Sequence, residues 1–111
     1  MDVFKLSHSL TIEIYKLTEK FPPEEKFGLS SQMRRSAYSI PVNIVEGASR
    51  LGTKEYRQFV GVARGSSAEI SYQLLLSRDL GYLSEQGYTS LQERYDRVAK
   101  MLTGLIRTLK R

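Results

Sequence analysis

Six basic side chains in the middle of the chain are the residues best suited to bind an anionic partner. Residues 27–65 hold all six and only two glutamates, which gives this segment a net charge of +4 within a chain of net charge +5. Arginine and lysine contact the phosphates of RNA and DNA, and a helix N-terminus adds N–H groups that favour the same anions. The alternative is a solvated basic face without a ligand. The predicted nucleic-acid-binding residues are Arg34, Arg35, Arg50, Lys54, Arg57 and Arg64.

Antiparallel packing of the second and third predicted helices would gather three of these cations at one end of the fold. Arg50 precedes the third helix, and Lys54 and Arg57 lie in its first turns. Stacking of nucleic-acid bases also needs exposed aromatic rings nearby, and Tyr38 and Tyr56 are the candidates. A second basic group is expected mostly on the exposed side of the last helix: Arg94, Arg97, Lys100, Arg107, Lys110 and Arg111.

Catalytic and metal-binding chemistry have few candidate residues in this chain. His8 is the single histidine and there is no cysteine, whereas catalytic triads and most zinc sites need such residues in company. Glu46 and Glu69 are the acidic candidates, but no Glu-x-x-His pair of the di-iron bundle type accompanies them. Both glutamates are expected in hydrogen-bond networks or in pairs with arginine. The sequence therefore predicts no catalytic residue, no metal site and no cofactor.

The spacing of apolar residues predicts four α-helices and no strand. Leu6, Leu10, Ile14 and Leu17 recur at steps of three and four, as residues on one face of a helix do. The predicted helices cover residues 3–20, 31–50, 53–83 and a last stretch that runs to the C-terminus. Short turns between four helices favour one all-α domain over residues 1–111, an antiparallel up-and-down four-helix bundle.

Capping residues set the expected helix ends. The N-caps are predicted at Ser30 or a neighbour for the second helix and at Thr53 for the third. The last helix has two possible capping boxes, Thr89 with Gln92 or Ser90 with Glu93. Gly47 is the expected stop of the second helix, because glycine accepts a left-handed cap conformation. Gly81 and Gly87 are expected to bracket the final turn.

The second helix carries apolar residues on two faces and a proline in its middle. One stripe is Met33, Ala37, Ile40 and Ile44, the other is Tyr38, Val42 and Val45, and a polar row runs through Gln32, Ser36, Ser39, Asn43, Glu46 and Arg50. Two stripes favour either contact with a neighbouring chain or a central helix touched by two helices of its own bundle. Pro41 removes a backbone hydrogen bond, which costs roughly 3 kcal/mol in a helix interior. Packing must offset that cost, or the helix must kink.

A row of small residues on the third helix predicts close approach of another backbone. Gly61, Gly65 and Ala68 are spaced by one turn each and are followed by Tyr72. Glycine in a helix costs up to ~1 kcal/mol relative to alanine, so two of them one turn apart suggest a packing purpose. The second stripe of the second helix, or this small row, is the predicted subunit interface.

The composition is ordinary for a globular protein of the cytoplasm. The chain has 111 residues, of which 41% are hydrophobic and 26% are charged, values typical of one folded domain. The sequence contains no run of about 18 apolar residues, so it predicts no membrane span. The N-terminus lacks the apolar core of a secretory signal. The lack of cysteine fits a reducing compartment.

Two blocks of sequence resemble a known family. SQMRRSAYSIPVNIVEG, from Ser31 to Gly47, and ARGSSAEI, from Ala63 to Ile70, are similar to the four-helix-bundle proteins encoded within intervening sequences of bacterial large-subunit ribosomal RNA genes. These proteins are often labelled S23-type ribosomal proteins. The C-terminal KMLTGLIRTLK also fits, and the likeness covers nearly the whole chain.

The resemblance implies assembly as well as fold. It implies a homo-oligomer, since relatives form pentameric rings with a central channel. The related accessory protein of diversity-generating retroelements is a basic pentameric barrel that partners a reverse transcriptase and binds nucleic acid. The family offers no catalytic motif to carry over.

Two functions are consistent with these features. The first is a non-enzymatic oligomeric accessory protein that binds RNA or DNA through its basic face. The second is a homo-oligomeric interaction scaffold whose basic face meets an acidic protein. An enzymatic function has no support from the sequence.

Overall fold

The computed structural model describes residues 2–110, and these residues form four antiparallel α-helices without a strand. Each helix packs against the helices before and after it, and the last packs back against the first. The predicted up-and-down four-helix bundle is confirmed, with overall dimensions of 44 × 25 × 18 Å. The helices are α1 (Val3–Thr18), α2 (Leu29–Ala48), α3 (Thr53–Asp79) and α4 (Glu85–Leu109), with one turn of 3-10 helix at Pro23–Glu25 between α1 and α2.

The core is built from the apolar stripes that the sequence predicted. In α2, the stripe from Met33 to Ile44 is buried, whereas the second stripe faces away from the bundle. Apolar side chains of this kind gain ~1.5–3 kcal/mol each on leaving water, so the stripes fix which face of each helix points inward. The other helices contribute Leu6, Leu10, Ile14, Val60, Ala63, Ile70, Leu74, Leu91, Tyr95, Val98 and Leu102.

The predicted helix starts were wrong at three places. α2 begins earlier than predicted: Gly28 is its N-cap, and Ser30 lies buried in the first turn. In α3, Gly52 is the N-cap and Thr53 is already helical. In α4, Ser84 is the N-cap, and its hydroxyl accepts the N–H of Gly87 at 3.0 Å. Both predicted capping boxes and Gly87 therefore lie inside α4, because Ser84 supplies an acceptor a turn earlier.

The predicted end of the third helix was also wrong by four residues. α3 ends at Asp79, and Gly81 follows with φ +81°, a conformation that glycine adopts without strain. The N–H of Tyr82 donates to the carbonyl of Ser77 at 2.9 Å, and the N–H of Gly81 donates to the carbonyl of Arg78 at 3.0 Å. This pair of bonds is a Schellman motif, which satisfies two carbonyls of the last turn.

Gly47 does not end α2, contrary to the prediction. The helix continues through Ala48, and Gly47 is buried against the first turns of α3. A Cβ atom built on Gly47 would lie 2.9 Å from the Cβ of Phe59 and 3.2 Å from the carbonyl oxygen of Tyr56. Gly47 is therefore the glycine at which α2 and α3 approach each other most tightly.

Pro41 neither breaks nor ends α2, and a residue of α1 compensates for it. The ring of Pro41 is buried, and the helix is continuous around it. A proline cannot donate to the carbonyl four residues earlier, which here belongs to Ala37. The hydroxyl of Thr11, on α1, donates to the carbonyl of Ser7 at 2.7 Å and shares its single proton with the carbonyl of Ala37, which lies 3.2 Å away. The proline thus leaves an acceptor that helps join α1 to α2.

Tyr95 is expected to make the protein lose stability at alkaline pH. Its side chain is 1% exposed, and its hydroxyl has no hydrogen-bond partner among residues 2–110. Burial raises the pKa of Tyr95 well above its usual value near 10. Above about pH 10 the unfolded chain therefore binds fewer protons than the folded one, and the free energy of unfolding falls as pH rises.

Replacing Tyr95 with phenylalanine removes the unpartnered hydroxyl. We expect Tyr95→Phe to raise the free energy of unfolding by about 1 kcal/mol at pH 7 and to flatten its decline above pH 10. Urea unfolding between pH 7 and 11 measures both effects. Tyr72→Phe is the control, because Tyr72 is exposed. Equal alkaline slopes for the two variants would contradict the assignment.

Candidate nucleic-acid interface

The six predicted binding residues occupy three separate places on the bundle. Arg34 and Arg35 lie in the second turn of α2, and Arg50, Lys54 and Arg57 surround the turn between α2 and α3 at the opposite end. Arg34 and Arg50 are sixteen residues apart, which corresponds to roughly 24 Å along a helix. Arg64 lies between these ends, in the middle of α3. The six residues therefore do not form one continuous patch.

The turn between α2 and α3 carries the largest group of cations. Arg50 donates to a carboxylate oxygen of Glu46 at 2.8 Å, and its guanidinium lies 4.8 Å from the centre of the Phe59 ring. Lys54 is exposed in the first turn of α3. Arg57 is half-buried, and its Nη1 donates to the carbonyl of Leu109 at 3.5 Å. Arg50 and Lys54 are thus accessible, while Arg57 also covers the end of α4.

The last turn of α4 adds two cations to this end. The contact between Arg57 and Leu109 places the C-terminus of α4 beside the start of α3. Arg107 and Lys110 are both exposed in this last turn, and Arg111 lies outside the described residues. The sequence pattern placed these two residues, with four others, mostly on the exposed side of the last helix, although an antiparallel bundle already implies that α4 ends where α3 begins. We call the group Arg50, Lys54, Arg57, Arg107 and Lys110 the basic end.

The N-terminus of α3 opens at the basic end without a side-chain cap. Gly52 is its N-cap and offers no acceptor to the first N–H groups. Free N–H groups and the helix dipole favour an anion at this place. The five cations outnumber Glu55 in the same first turn and Glu46 beside Arg50, so this end is the strongest candidate for contact with phosphates.

Arg34 has a structural role that the sequence did not reveal. Its Nε donates to the hydroxyl of Thr18 at 2.8 Å, and its Nη2 donates to the carbonyl of Tyr15 at 3.1 Å. The guanidinium also lies 4.6 Å from the centre of the Tyr15 ring. Arg34 therefore fastens the last turn of α1 to α2. Arg35, the next residue, is exposed.

Arg64 faces a small cleft between α3 and α4. The cleft has a volume of about 180 Å³ and is also lined by Tyr95 and Asp96. Arg64 is exposed and lies seven residues beyond Arg57, or roughly 10 Å along the helix. It is therefore separate from the basic end.

The two predicted stacking residues differ in accessibility. Tyr38 is 43% exposed, whereas Tyr56 is half-buried against Gly47 and the core. The most exposed aromatic side chain is Phe27, which was not among the predicted stacking residues. The sequence signal for its exposure is its position after two prolines and outside every apolar stripe.

The polar row of α2 forms a hydrogen-bond network with α3. The amide of Asn43 donates to the carbonyl and the hydroxyl of Ser39 at 2.7 and 3.0 Å, and the hydroxyl of Ser66 lies 2.8 Å from that of Ser39. Glu46 pairs with Arg50, which is one of the two arrangements expected for it. Glu69 lines the cleft of about 310 Å³ beside this network.

The described part of the chain offers no cluster suited to a metal ion. Between residues 2 and 110, no three His, Asp or Glu side chains lie close enough together to hold one. His8 is exposed and stacks on Phe4, with ring centres 6.0 Å apart. None of the helices in this part of the chain combines the length and apolar character needed to cross a membrane.

Comparison with known proteins identifies the family. The chain is similar to the crystal structure of a protein with unknown function from the S23 ribosomal protein family of Bacteroides thetaiotaomicron VPI-5482, with a TM-score of 0.88 and 24% identity over 95% of this chain and 98% of that one. That likeness shows a shared fold. No curated protein matches the chain. The family model described as 23S rRNA-intervening sequence protein matches residues 1–104, so the chain belongs to this family.

Proposed function

We propose that the protein is a non-enzymatic accessory protein that binds the backbone of RNA or DNA through its basic end. The observation that carries this proposal is the convergence of five cations from α2, α3 and α4 at the uncapped start of α3. Contacts to phosphate position a protein on nucleic acid without reading its sequence. Neither the family nor the similar structure is described as an enzyme.

Removing three of these cations should weaken binding and its dependence on salt. We expect the triple variant Arg50→Ala, Lys54→Ala, Arg57→Ala to bind structured RNA less tightly. The slope of log affinity against log salt should become shallower by about 1 for each phosphate that the variant no longer neutralises. Fluorescence anisotropy at several salt concentrations measures both, and circular dichroism checks that the variant stays folded.

A matched variant separates local contact from net charge. Lys16→Ala, Arg97→Ala, Lys100→Ala removes three exposed cations away from the basic end. It should retain most of the affinity and the slope of the natural protein. Equal losses in the two triple variants, or binding that ignores salt, would contradict the proposal. Partners captured from lysate that survive nuclease treatment would favour the acidic-protein scaffold instead.

We further propose that the protein assembles into a homopentameric ring through the outer face of α2 and α3. No helix of the same bundle covers the second stripe of α2, and Val42 and Val45 are 55% and 54% exposed. Within residues 2–110, a Cβ built on Gly61 or Gly65 of α3 likewise meets no atom within 4 Å apart from chain neighbours and the backbone of its own helix. Exposed apolar rows of this kind mark interaction sites. Light scattering at micromolar concentration tests the ring, and a monomer would contradict it.

A further inference from the structure

We propose that a notch at the end opposite the basic end binds an unpaired nucleobase, so that the protein prefers single-stranded nucleic acid over a duplex. This inference rests on the proposed function and adds a second contact to it. The notch has a volume of about 580 Å³ and lies between the last turn of α1, the connection to α2 and the first turns of α2. Ligand pockets of ~300–1,000 Å³ hold small molecules, so this notch has room for a nucleotide.

Aromatic rings are the first reason for this assignment. Phe27, Tyr15 and Tyr38 line the notch, and Phe27 and Tyr38 are its open rings because the guanidinium of Arg34 covers Tyr15. Phe27 is 90% exposed, although a ring of its size gains stability when it is buried. Proteins that bind single strands use such rings as stacking platforms, because every base has a π-face.

Cations beside these rings are the second reason. Lys26, Arg34 and Arg35 line the notch, and Glu19 is the acidic residue among its lining. The ammonium of Lys26 lies 5.5 Å from the centre of the Phe27 ring. Because the ammonium lies over one face of the ring, a base would stack on the opposite face of Phe27, with Lys26 close enough to contact its phosphate. Arg34 is held in place by Thr18 and Tyr15, so its charge is already positioned.

Two carboxylates in the connection to α2 lie near the notch without neutralising its positive charge. Glu25 accepts the hydroxyl of Tyr82 at 2.9 Å and the N–H of Leu29 at 3.3 Å, so both of its oxygens are engaged away from the notch. Glu24 is exposed in the same connection but does not line the notch. The net charge of the lining residues is positive, which suits a nucleotide better than a neutral apolar ligand.

An unpaired base fits the notch better than a duplex does. Bases inside a duplex stack on each other and show only their edges in the grooves. A ring such as Phe27 needs a free base face, which unstacked nucleotides in single strands and loops supply. The proposed contact therefore distinguishes paired from unpaired nucleic acid, whereas the basic end does not.

Substitutions at Phe27 test stacking against simple hydrophobic contact. Phe27→Leu keeps an apolar side chain and removes the π-face, and Phe27→Trp keeps the π-face. For a uridine oligonucleotide we expect Phe27→Leu and Phe27→Ala to lower affinity roughly tenfold, and Phe27→Trp to retain it. Affinity for a duplex of the same length should stay unchanged in all three variants. Because the chain has no tryptophan, the introduced indole also reports base stacking through quenching of its fluorescence.

The outcomes separate this inference from the proposed function. Ile12→Ala is the control, because Ile12 is an exposed apolar residue of α1 that lines neither the notch nor the basic end, and it should leave the single-strand preference intact. Unchanged oligonucleotide affinity in Phe27→Ala, with duplex binding retained, would overturn the notch and leave the basic end standing. Loss of self-association in Phe27→Ala without loss of oligonucleotide binding would assign the notch to a second copy and also overturn it. Absence of all nucleic-acid binding by the natural protein would overturn both proposals.

Discussion

Replacing Gly47 with alanine should lower the free energy of unfolding by ~1–3 kcal/mol, although alanine is the better helix former. The new Cβ would meet the Cβ of Phe59 at 2.9 Å and the backbone carbonyl of Tyr56 at 3.2 Å. Neither atom is the free end of a flexible side chain, so relief requires α2 and α3 to move apart. That movement would loosen the packing of Ile44 and Val60 in the core. Urea unfolding of Gly47→Ala measures the loss.

The same substitution at Gly65 should have the opposite sign in the isolated bundle. Gly65 also lies inside a helix, but among residues 2–110 no atom outside its chain neighbours and its own helix backbone lies within 4 Å of its Cβ position. Gly65→Ala should therefore raise the free energy of unfolding by ~0.5–1 kcal/mol through helix propensity alone. Destabilisation that grows with protein concentration would show instead that a second subunit covers this row. If Gly47→Ala proves as stable as Gly65→Ala, the close approach of α2 and α3 is wrong.

The sequence predicted the helices and the core because each helix has one stripe that must leave water. Met33 and Ile40 could be assigned to the core from spacing alone, and both are fully buried. Helix ends were harder, since several nearby residues could act as caps. Ser84 and Thr89 are both good N-caps by type, and the choice between them depends on how the turn after Gly81 folds. Gly47 was misread because glycine serves either a helix stop or a close contact.

The candidate site could be predicted only as a set of charges. Spacing placed Arg50 and Lys54 at one end, but it could not show that Arg34 is fastened to Thr18. That bond joins residues from two helices and leaves no periodic pattern in the sequence. For the same reason, the sequence did not reveal the bond from Arg57 to the carbonyl of Leu109, although the antiparallel bundle implies that α4 ends near the start of α3. Tertiary contacts of single side chains decide which cations are free to bind a ligand.

Replacing Thr11 with valine should lower the free energy of unfolding by ~1–3 kcal/mol, because it deprives the carbonyl of Ala37 of its donor. Pro41 cannot supply an N–H to that carbonyl, and the hydroxyl of Thr11, which also bonds the carbonyl of Ser7, is its donor across the contact between α1 and α2. Valine has nearly the same shape as threonine, so little packing is lost. Thr11→Ser, which keeps the hydroxyl, is the control and should retain most of the stability.

The cost of Thr11→Val should shrink to less than ~1 kcal/mol when Pro41 is also replaced by alanine. An alanine at position 41 provides the N–H that the carbonyl of Ala37 accepts in an ordinary helix. Pro41→Ala alone should raise the free energy of unfolding by about 1 kcal/mol. Alanine is up to ~3 kcal/mol more favourable than proline inside a helix, but each buried methylene that the substitution removes costs ~0.8 kcal/mol. A double-mutant cycle by urea unfolding measures the coupling between the two residues. Equal costs of Thr11→Val in both backgrounds would mean that the threonine does not compensate for the proline, and that packing alone keeps α2 continuous.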